Sequence, residues 1–185
     1  MRFHECSTPA ATIAHELKLF GMQSTVSNAC ASGSNALALA RECIQSGEAD
    51  IMLAGGVDSL SRLTVNGFNS LLVYDARGCR PFDRYRAGMT LGEGAAILVL
   101  ESEDHARARG AKIFARLTGA ASTCDGYHAT APSPDGASIL KAMRLALTDA
   151  GRDKGDVDYV NAHGTGTREN DSSEEIDAMT KWVVA

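Results

Sequence analysis

Long hydrophobic runs and paired cysteines are both missing from this chain of 185 residues. No apolar stretch approaches the ~20 residues that a membrane-spanning helix requires, and the first residues carry no apolar signal-peptide core. We therefore expect no membrane partner and a cytoplasmic location. The five cysteines are odd in number and contain no Cys-x-x-Cys pair, which argues against a disulfide framework and against a zinc site. We expect no bound metal.

Strong charge of one sign is also missing, since the formal net charge is -5. Nucleic-acid-binding proteins usually carry a strongly basic surface, which so mild a negative net charge does not indicate. We therefore expect no nucleic-acid partner. The chain shows no clear internal repeat and no low-complexity linker. Its length predicts a single domain that is large enough to bury a core.

Helical and strand patterns alternate along the chain. Apolar residues at helical spacing predict helices at residues 9–20, 34–46, 103–109 and 137–150. Short apolar or β-prone runs predict strands at residues 23–27, 51–54, 95–101, 112–122 and 157–161. Residues 61–93 carry few regular signals beyond a helical turn or two near 68–74, and an irregular stretch of this length is more often functional than idle. Strands separated by helices predict an α/β fold, with a parallel or mixed sheet covered by helices.

Cys30 stands where a short β-prone stretch ends in small residues and an apolar-periodic helix begins. The partial positive charge of the first helical turn favours a thiolate there, and the thiolate is the reactive form of cysteine. Ala29, Ala31 and Gly33 leave space for a substrate carbonyl to approach the sulfur. Position alone leaves an equal alternative, a small buried cysteine that packs a helix start.

His163 follows a β-rich segment and opens a turn rich in glycine and threonine, His163–Thr167. A histidine at such a position can donate a hydrogen bond to a carbonyl oxygen that becomes negative during a reaction. Thr165 and Thr167 add hydroxyl donors and acceptors on the same rim. The alternative is a polar turn whose histidine is satisfied internally, since short motifs carry little weight alone.

Four segments in this order resemble the β-ketoacyl-acyl carrier protein synthases, the condensing enzymes of fatty acid and polyketide synthesis. The segments are Val26–Ser34 around Cys30, Arg80–Ala95, Tyr127–Gly136 and Asn161–Thr167. The similarity runs from about Pro9 to Asp171. It covers nearly the whole chain, whereas any one of the motifs would be weak evidence.

The resemblance implies a thiolase-like fold, in which mixed sheets are layered with helices. The fold would be incomplete here, because most of the first half and the C-terminal end of the family's chain are missing. Within a partial ketosynthase domain of residues 1–185, residues 1–60 would end the N-terminal half with the nucleophile. Residues 61–94 would form an irregular active-site and dimer loop region, and residues 95–185 would start the C-terminal half. Strand edges and apolar faces should then be exposed.

The resemblance also implies a chemistry. Cys30 would hold an acyl group as a thioester, and malonyl-carrier protein would lose CO₂ and condense with that group. His163 would hold the malonyl thioester oxygen, while Thr165 and Thr167, with Thr130 from the opposite rim, would bind the phosphopantetheine arm. No cofactor beyond that arm is implied. The implied partners are acyl carrier protein and a second ketosynthase-type chain, in a homodimer or a heteromer.

Two family features have no counterpart in the sequence, a second catalytic histidine in a Gly-His-x-x-Gly context and a Gly-Phe-Gly-Gly loop. We therefore expect this chain to be inactive or nearly so by itself. One alternative is a non-catalytic or truncated partner subunit of a ketosynthase assembly, although retention of Cys30 speaks against it. Another is a thiolase, against which the Arg80–Gly94 segment and the His163 turn speak.

Five arginines and one histidine could have either a functional or a purely structural role. Arginines at positions 62, 77, 80, 84 and 86 could dock an acidic carrier protein, but such side chains are more often solvated or paired internally. His128 lies in a matched segment, where a hydrogen bond that orders the loop is expected rather than catalysis.

Overall fold

The computed structural model describes residues 5–175, so the predicted domain range of 1–185 extends beyond it at both ends. The elements are, in chain order, α1 Thr8–Glu16, α2 Ser32–Gln45, β1 Ile51–Asp58, α3 Arg62–Ser70, β2 Gly94–Glu101, α4 Glu103–Ala108, α5 Ala137–Ala150, a 3-10 turn Lys154–Asp156 and α6 Arg168–Ser173. The chain divides into two compact units. The first contains the described residues up to Ser59 with Glu93–Leu117, and the second contains Leu60–Gly92 with the described residues from Thr118. The predicted boundaries at residues 60 and 94 stay predictions.

The first unit is built on an antiparallel ladder of β1 and β2, in which Ile51 pairs with Glu101 and Asp58 pairs with Gly94. Helix α2 packs on β1. Gly55 is required in this ladder, because a Cβ there would lie 1.9 Å from the carbonyl oxygen of Ala96. The strands therefore meet at a distance that only glycine allows.

The buried apolar side chains of the first unit are small. They are Ala40 and Cys43 on α2, Ala54 on β1 and Ala106 on α4. Cys43 recurs at helical spacing with the apolar residues of α2, and its burial follows from that phase. Ser102 caps α4 by accepting a hydrogen bond from the backbone N–H of His105, at 3.2 Å.

The second unit contains α3, α5 and α6. Leu140 of α5 is buried, and α5 ends at Gly151 as predicted, with a φ of 60°. The loop before α5 is tied to it at both ends. The Asp149 carboxylate accepts from the N–H of Ala120 at 2.9 Å, and Thr123 donates to the carbonyl of Ser138 at 2.9 Å.

Helix predictions hold better than strand predictions. The predicted helices at 34–46, 103–109 and 137–150 are α2, α4 and α5. Helix α1 ends at Glu16 rather than Phe20, and Lys18 has a φ of 54°. No residue of α1 is buried, so tertiary packing does not extend the helix over its predicted last turn.

The region expected to be irregular contains α3. Ser61 marks the start of this helix in the sequence, because its side chain accepts from the backbone N–H of Thr64 at 3.0 Å and so caps the helix. The helical turns expected near 68–74 thus begin earlier, at Arg62, and end at Ser70.

Three predicted strands are wrong within the described residues, those at 23–27, 112–122 and 157–161. A strand exists only beside a neighbour that accepts and donates its backbone hydrogen bonds, and none of these three segments has one in the described part of the chain. Their side chains show the same lack of a covering layer. Phe114 is 85% exposed and Tyr159 is 80% exposed.

Apolar faces are exposed on both units, as the resemblance implied. Phe20 in the first unit and Leu63 and Leu72 in the second are almost fully exposed. Among residues 5–175, no helix is both long enough and apolar enough to cross a membrane.

Candidate active site

Cys30 lies at the start of α2, one residue before the N-cap residue Ala31. The chain reaches it through a tight turn in which Ala29 has a φ of 59°, a left-handed conformation that is uncommon for a residue with a Cβ. Ser32 fixes this turn. Its hydroxyl accepts from the N–H of Asn28 at 2.9 Å and donates to the carbonyl of Ala29 at 2.6 Å.

The thiol of Cys30 is exposed, so the alternative of a small buried cysteine is wrong for the described structure. The first turn of α2 carries no acidic side chain, so the helix itself presents its positive end toward Cys30. Cys43 is buried, and Cys79 and Cys124 are exposed but stand at no helix start. Cys6 is exposed one residue before the N-cap Ser7 of α1, but α1 is a 9-residue helix with no buried residue, whereas α2 has 14 residues and packs on β1. Cys30 thus combines exposure with a setting that activates sulfur.

His163 is exposed on a turn whose backbone is held by a buried carboxylate. The N–H groups of His163 and Gly164 donate to the two oxygens of Glu174, at 2.7 and 2.9 Å. The amide of Asn170 donates to the same carboxylate at 2.9 Å. Glu174 is only 7% exposed. These bonds fix the direction in which His163 leaves the chain.

Asp171 holds the other end of the turn and is fully buried. Its carboxylate accepts from the N–H of Gly166 at 3.1 Å and from the N–H of Phe82 at 2.8 Å. The Nε atom of Arg86 lies 3.3 Å from the same carboxylate. A buried charge requires such partners, and they join the His163 turn to the loop at residues 79–88.

Thr165 and Thr167 have adjacent hydroxyls, with their Oγ1 atoms 2.8 Å apart. Both residues are half-buried. Gly166 stands between them with a φ of 75°, and a Cβ there would lie 2.7 Å from the carbonyl oxygen of Gly88 and 3.1 Å from Sγ of Cys79. The turn therefore rests directly on the loop at residues 79–88, without space for another side chain.

Thr130 lies in a loop that His128 orders, as expected. The Nδ1 atom of His128 accepts from the backbone N–H groups of Thr130 and Ala131, each at 3.2 Å. Further along the loop, the carbonyl of Ser133 accepts from the buried hydroxyl of Ser173 at 2.8 Å. Because Ser173 belongs to α6, this loop and the His163 turn are fixed by the same helix.

The structure brings four of the predicted site residues into the second unit, namely Thr130, His163, Thr165 and Thr167. Cys30 belongs to the first unit, and the roles that the resemblance implies for Cys30 and His163 stay predictions. Among residues 5–175, no group of three or more histidine, cysteine or acidic side chains could hold a metal ion.

Asp171 and Glu174 support the site, but neither belongs to a motif named above. A usable signal exists, since the two carboxylates are spaced three residues apart and lie within seven residues of the end of a turn with two glycines. Residues at this spacing share one face of a helix, which here is the face toward the turn. Acidic side chains also suit the first turn of a helix, where Asp171 lies.

Three of the candidate docking arginines are paired inside the second unit. Arg77 and Arg80 bind the two oxygens of buried Asp75, at 3.1 and 3.2 Å, and Arg86 pairs with Asp171. Hydrogen bonds from Arg77, supported by Arg80, hold the pKa of Asp75 well below its usual range. The guanidinium of Arg84 lies 5.8 Å from the centre of the Tyr85 ring.

Comparison with known proteins decides the family. The family model described as "Beta-ketoacyl synthase, N-terminal domain" matches residues 4–106, and "Beta-ketoacyl synthase, C-terminal domain" matches residues 114–183. This chain belongs to the beta-ketoacyl synthase family. It is 44% identical over 162 residues to 3-oxoacyl-[acyl-carrier-protein] synthase 2 of Mycobacterium tuberculosis, covering 83% of this chain and 39% of that relative.

Solved ketosynthase structures show the same fold. A type II PKS acyl-carrier protein in complex with its ketosynthase matches with a TM-score of 0.89 and 37% identity, over 92% of this chain and 44% of that chain. The ishigamide ketosynthase/chain length factor matches with a TM-score of 0.88 and 42% identity, over 92% and 42%. The predicted thiolase-like α/β fold is confirmed. The chain spans about two fifths of the length of these relatives.

Proposed function

We propose that this beta-ketoacyl synthase chain carries the acyl-accepting thiol of a β-ketoacyl-acyl carrier protein synthase in fatty acid or polyketide synthesis. The Cys30 thiolate attacks the thioester carbonyl of an acyl group on acyl carrier protein. The carrier thiol leaves, and the acyl group remains on sulfur. Malonyl-carrier protein then loses CO₂, and the resulting carbanion attacks the acyl carbon, which releases Cys30 and forms a β-ketoacyl thioester.

The placement of Cys30 carries this proposal. Its thiol is exposed, precedes α2 by one N-cap residue and follows the left-handed turn at Ala29. Small neighbours on both sides leave room for a thioester carbonyl. Cys6 also precedes an N-cap residue, Ser7, but the helix that follows it has 9 residues and none of them is buried, whereas α2 has 14 residues and packs on β1.

The second unit supplies groups for the malonyl step. We assign to the imidazole N–H of His163 a hydrogen bond to the malonyl thioester oxygen, on which negative charge develops as CO₂ leaves. The hydroxyls of Thr165 and Thr167 bind the amides of the phosphopantetheine arm, and Thr130 contributes from its own loop. The carboxylate of Glu174 supports these roles, because it fixes the backbone of His163 before the substrate arrives.

Two kinds of partner follow from the proposed reaction. An acyl carrier protein must present both substrates, and a ketosynthase in the solved structures is bound to such a protein. A second ketosynthase-type chain is the other proposed partner, supported by a similar ketosynthase that is paired with a chain length factor. The 185 residues contain no histidine after His163, so we expect negligible condensation by this chain alone.

Limiting iodoacetamide followed by peptide mass spectrometry tests the role of Cys30. We expect Cys30 to be alkylated first, because its helix-start setting raises the share of reactive thiolate. Cys79 and Cys124 serve as exposed controls, and Cys43 serves as the buried one. Equal labelling of the exposed cysteines would overturn the proposal.

Acyl transfer separates the proposal from its alternatives. With an acyl-acyl carrier protein as donor, we expect an acyl adduct on the Cys30 peptide and none in Cys30→Ser. A non-catalytic subunit would give no adduct from any donor. A thiolase would take the acyl group from coenzyme A esters in preference to the carrier protein.

A further inference from the structure

Arg86 is the most highly connected side chain beneath the His163 turn, and it is only 12% exposed. Its guanidinium contacts one group on its own loop and several around the start of α6. They are the carbonyls of Asp83 at 3.1 Å, Thr167 at 3.4 Å and Arg168 at 3.5 Å, the hydroxyl of Ser172 at 3.0 Å and the carboxylate of Asp171 at 3.3 Å. One side chain thus spans the loop, the end of the turn and the helix.

The bond from Arg86 to the backbone carbonyl of Thr167 lies at an unusual helix start. Thr167 is the N-cap residue of α6, yet its side chain makes no capping hydrogen bond. Its hydroxyl instead pairs with that of Thr165, at 2.8 Å. An N-cap threonine normally caps the helix with its own hydroxyl. Here Arg86 binds the backbone carbonyl at this position, while the hydroxyl is directed to its neighbour.

The positive charge of Arg86 lies near the N-terminus of α6, where the helix dipole disfavours it. A cation near the first turn of a helix meets the positive end of the helix dipole. The buried carboxylate of Asp171, within that same turn, supplies the compensating charge. A guanidinium held against the dipole by a buried carboxylate is fixed in position, because either charge alone would be unpaired in the interior.

We infer that Arg86 is a positioning residue that sets the orientation of the Thr165 and Thr167 hydroxyls. The inference rests on the proposed function only where it assigns those hydroxyls to the substrate arm. Arginine is required for this task, since its planar fork donates to several acceptors at once. A lysine ammonium is a compact point charge and cannot span them.

The experiment compares Arg86→Gln and Arg86→Lys with Arg84→Gln in the full chain. Arg84 is a matched control, because it lies in the same loop and contacts only the Tyr85 ring in the described structure. The first readout is the NMR signal of the Thr165 and Thr167 methyl groups. The second is amide hydrogen exchange at Gly166 and Thr167. Exchange in the β1–β2 ladder reports global unfolding separately.

We expect Arg86→Gln to shift and broaden both threonine methyl signals, and to speed exchange at Gly166 about tenfold or more because charge-assisted hydrogen bonds are lost. Arg86→Lys should show the same methyl changes, since lysine keeps the positive charge but lacks the planar guanidinium that donates to several acceptors at once. Arg84→Gln should change neither readout. Unchanged methyl signals in Arg86→Gln, or equal changes in Arg84→Gln, would overturn the inference.

A rescue experiment covers the case in which Arg86→Gln loses its fold. Millimolar guanidinium added to Arg86→Ala should restore the native threonine methyl signals, whereas sodium at equal ionic strength should not. Absence of rescue would contradict a positioning role. None of these readouts requires condensing activity. Failure of the Arg86 inference is therefore distinguishable from failure of the proposed function, which Cys30 labelling tests.

Discussion

Glu174 binds the backbone of His163, because its carboxylate accepts from the N–H group at 2.7 Å. The second oxygen of the same carboxylate accepts from Gly164 at 2.9 Å. These two bonds fix the main chain from which the His163 side chain projects. In the proposed function this support matters, because a hydrogen-bond donor accelerates a reaction when it is positioned before charge develops on the substrate.

Substitution of Glu174 should destabilise the second unit. In Glu174→Gln, the new amide group places N–H donors against the N–H of His163 or of Gly164, so one hydrogen bond is lost in a buried site. We expect the free energy of unfolding to fall by about 1–3 kcal/mol, measured by urea denaturation. Glu175→Gln is the matched control, because that side chain is exposed. Similar losses in both variants would contradict the role of Glu174.

Removal of the Asp171 carboxylate should cost more. Asp171→Ala leaves Arg86 and the N–H groups of Phe82 and Gly166 without their buried acceptor, so we expect a loss of about 3–5 kcal/mol. Glu169→Ala tests an exposed carboxylate on the same helix and should remain within about 0.5 kcal/mol of wild type. A double-mutant cycle with Arg86→Gln should give a coupling of about 0.5–3 kcal/mol. Additive losses would show that the pair contributes nothing jointly.

The sequence predicts the parts of this molecule whose signals are local. Cys30 stands at the predicted helix start, and α5 ends at Ala150 with Gly151 after it, as predicted, because caps and apolar periodicity act within one turn. The strand at 157–161 fails because its formation depends on a distant neighbour. Its residue Tyr159 is exposed instead. Local pattern cannot report whether such a neighbour is present.

The hydrogen bonds that hold the His163 turn also could not be predicted from local sequence patterns. The glycines and threonines of the turn are evident from the sequence, whereas the bond from Phe82 to Asp171 joins residues 89 positions apart. For Arg86 the sequence allows docking, solvation or internal pairing, because an arginine in an irregular loop gives no sign of its partner. The structure shows internal pairing, with Asp171. Nonlocal pairs of this kind become visible only once the chain is folded.

Gly166 should tolerate no side chain. Gly166→Ala combines a φ of 75° with a Cβ that would lie 2.7 Å from the carbonyl oxygen of Gly88. Gly126→Ala is a matched control, because Gly126 has a φ of 61° and open space around the added Cβ. Backbone strain alone costs about 1–3 kcal/mol, so both variants should lose that amount and Gly166→Ala should lose more. Equal unfolding free energies for the two variants would show that the turn does not rest on the loop.

Acid should weaken the first unit through two glutamates. Hydrogen bonds from Arg109 and His105 lower the pKa of Glu101 to about 2, and hydrogen bonds from Arg116 and Arg107 lower the pKa of Glu103 to about 2. A carboxyl group whose pKa is lower in the folded state stabilises the fold above its unfolded pKa. That contribution is lost as the pH falls from about 4.5 through about 2.

Urea midpoints measured at several pH values between 6 and 2 test this expectation. Wild type should lose stability over the interval from about 4.5 to 2, and Glu103→Gln should lose less, because its side chain no longer takes up a proton there. Asp104→Asn is the control, an exposed carboxylate on the same helix α4, and it should follow wild type. A Glu103→Gln profile that runs parallel to wild type over the whole range would show that the Arg107 and Arg116 contacts do not stabilise the fold.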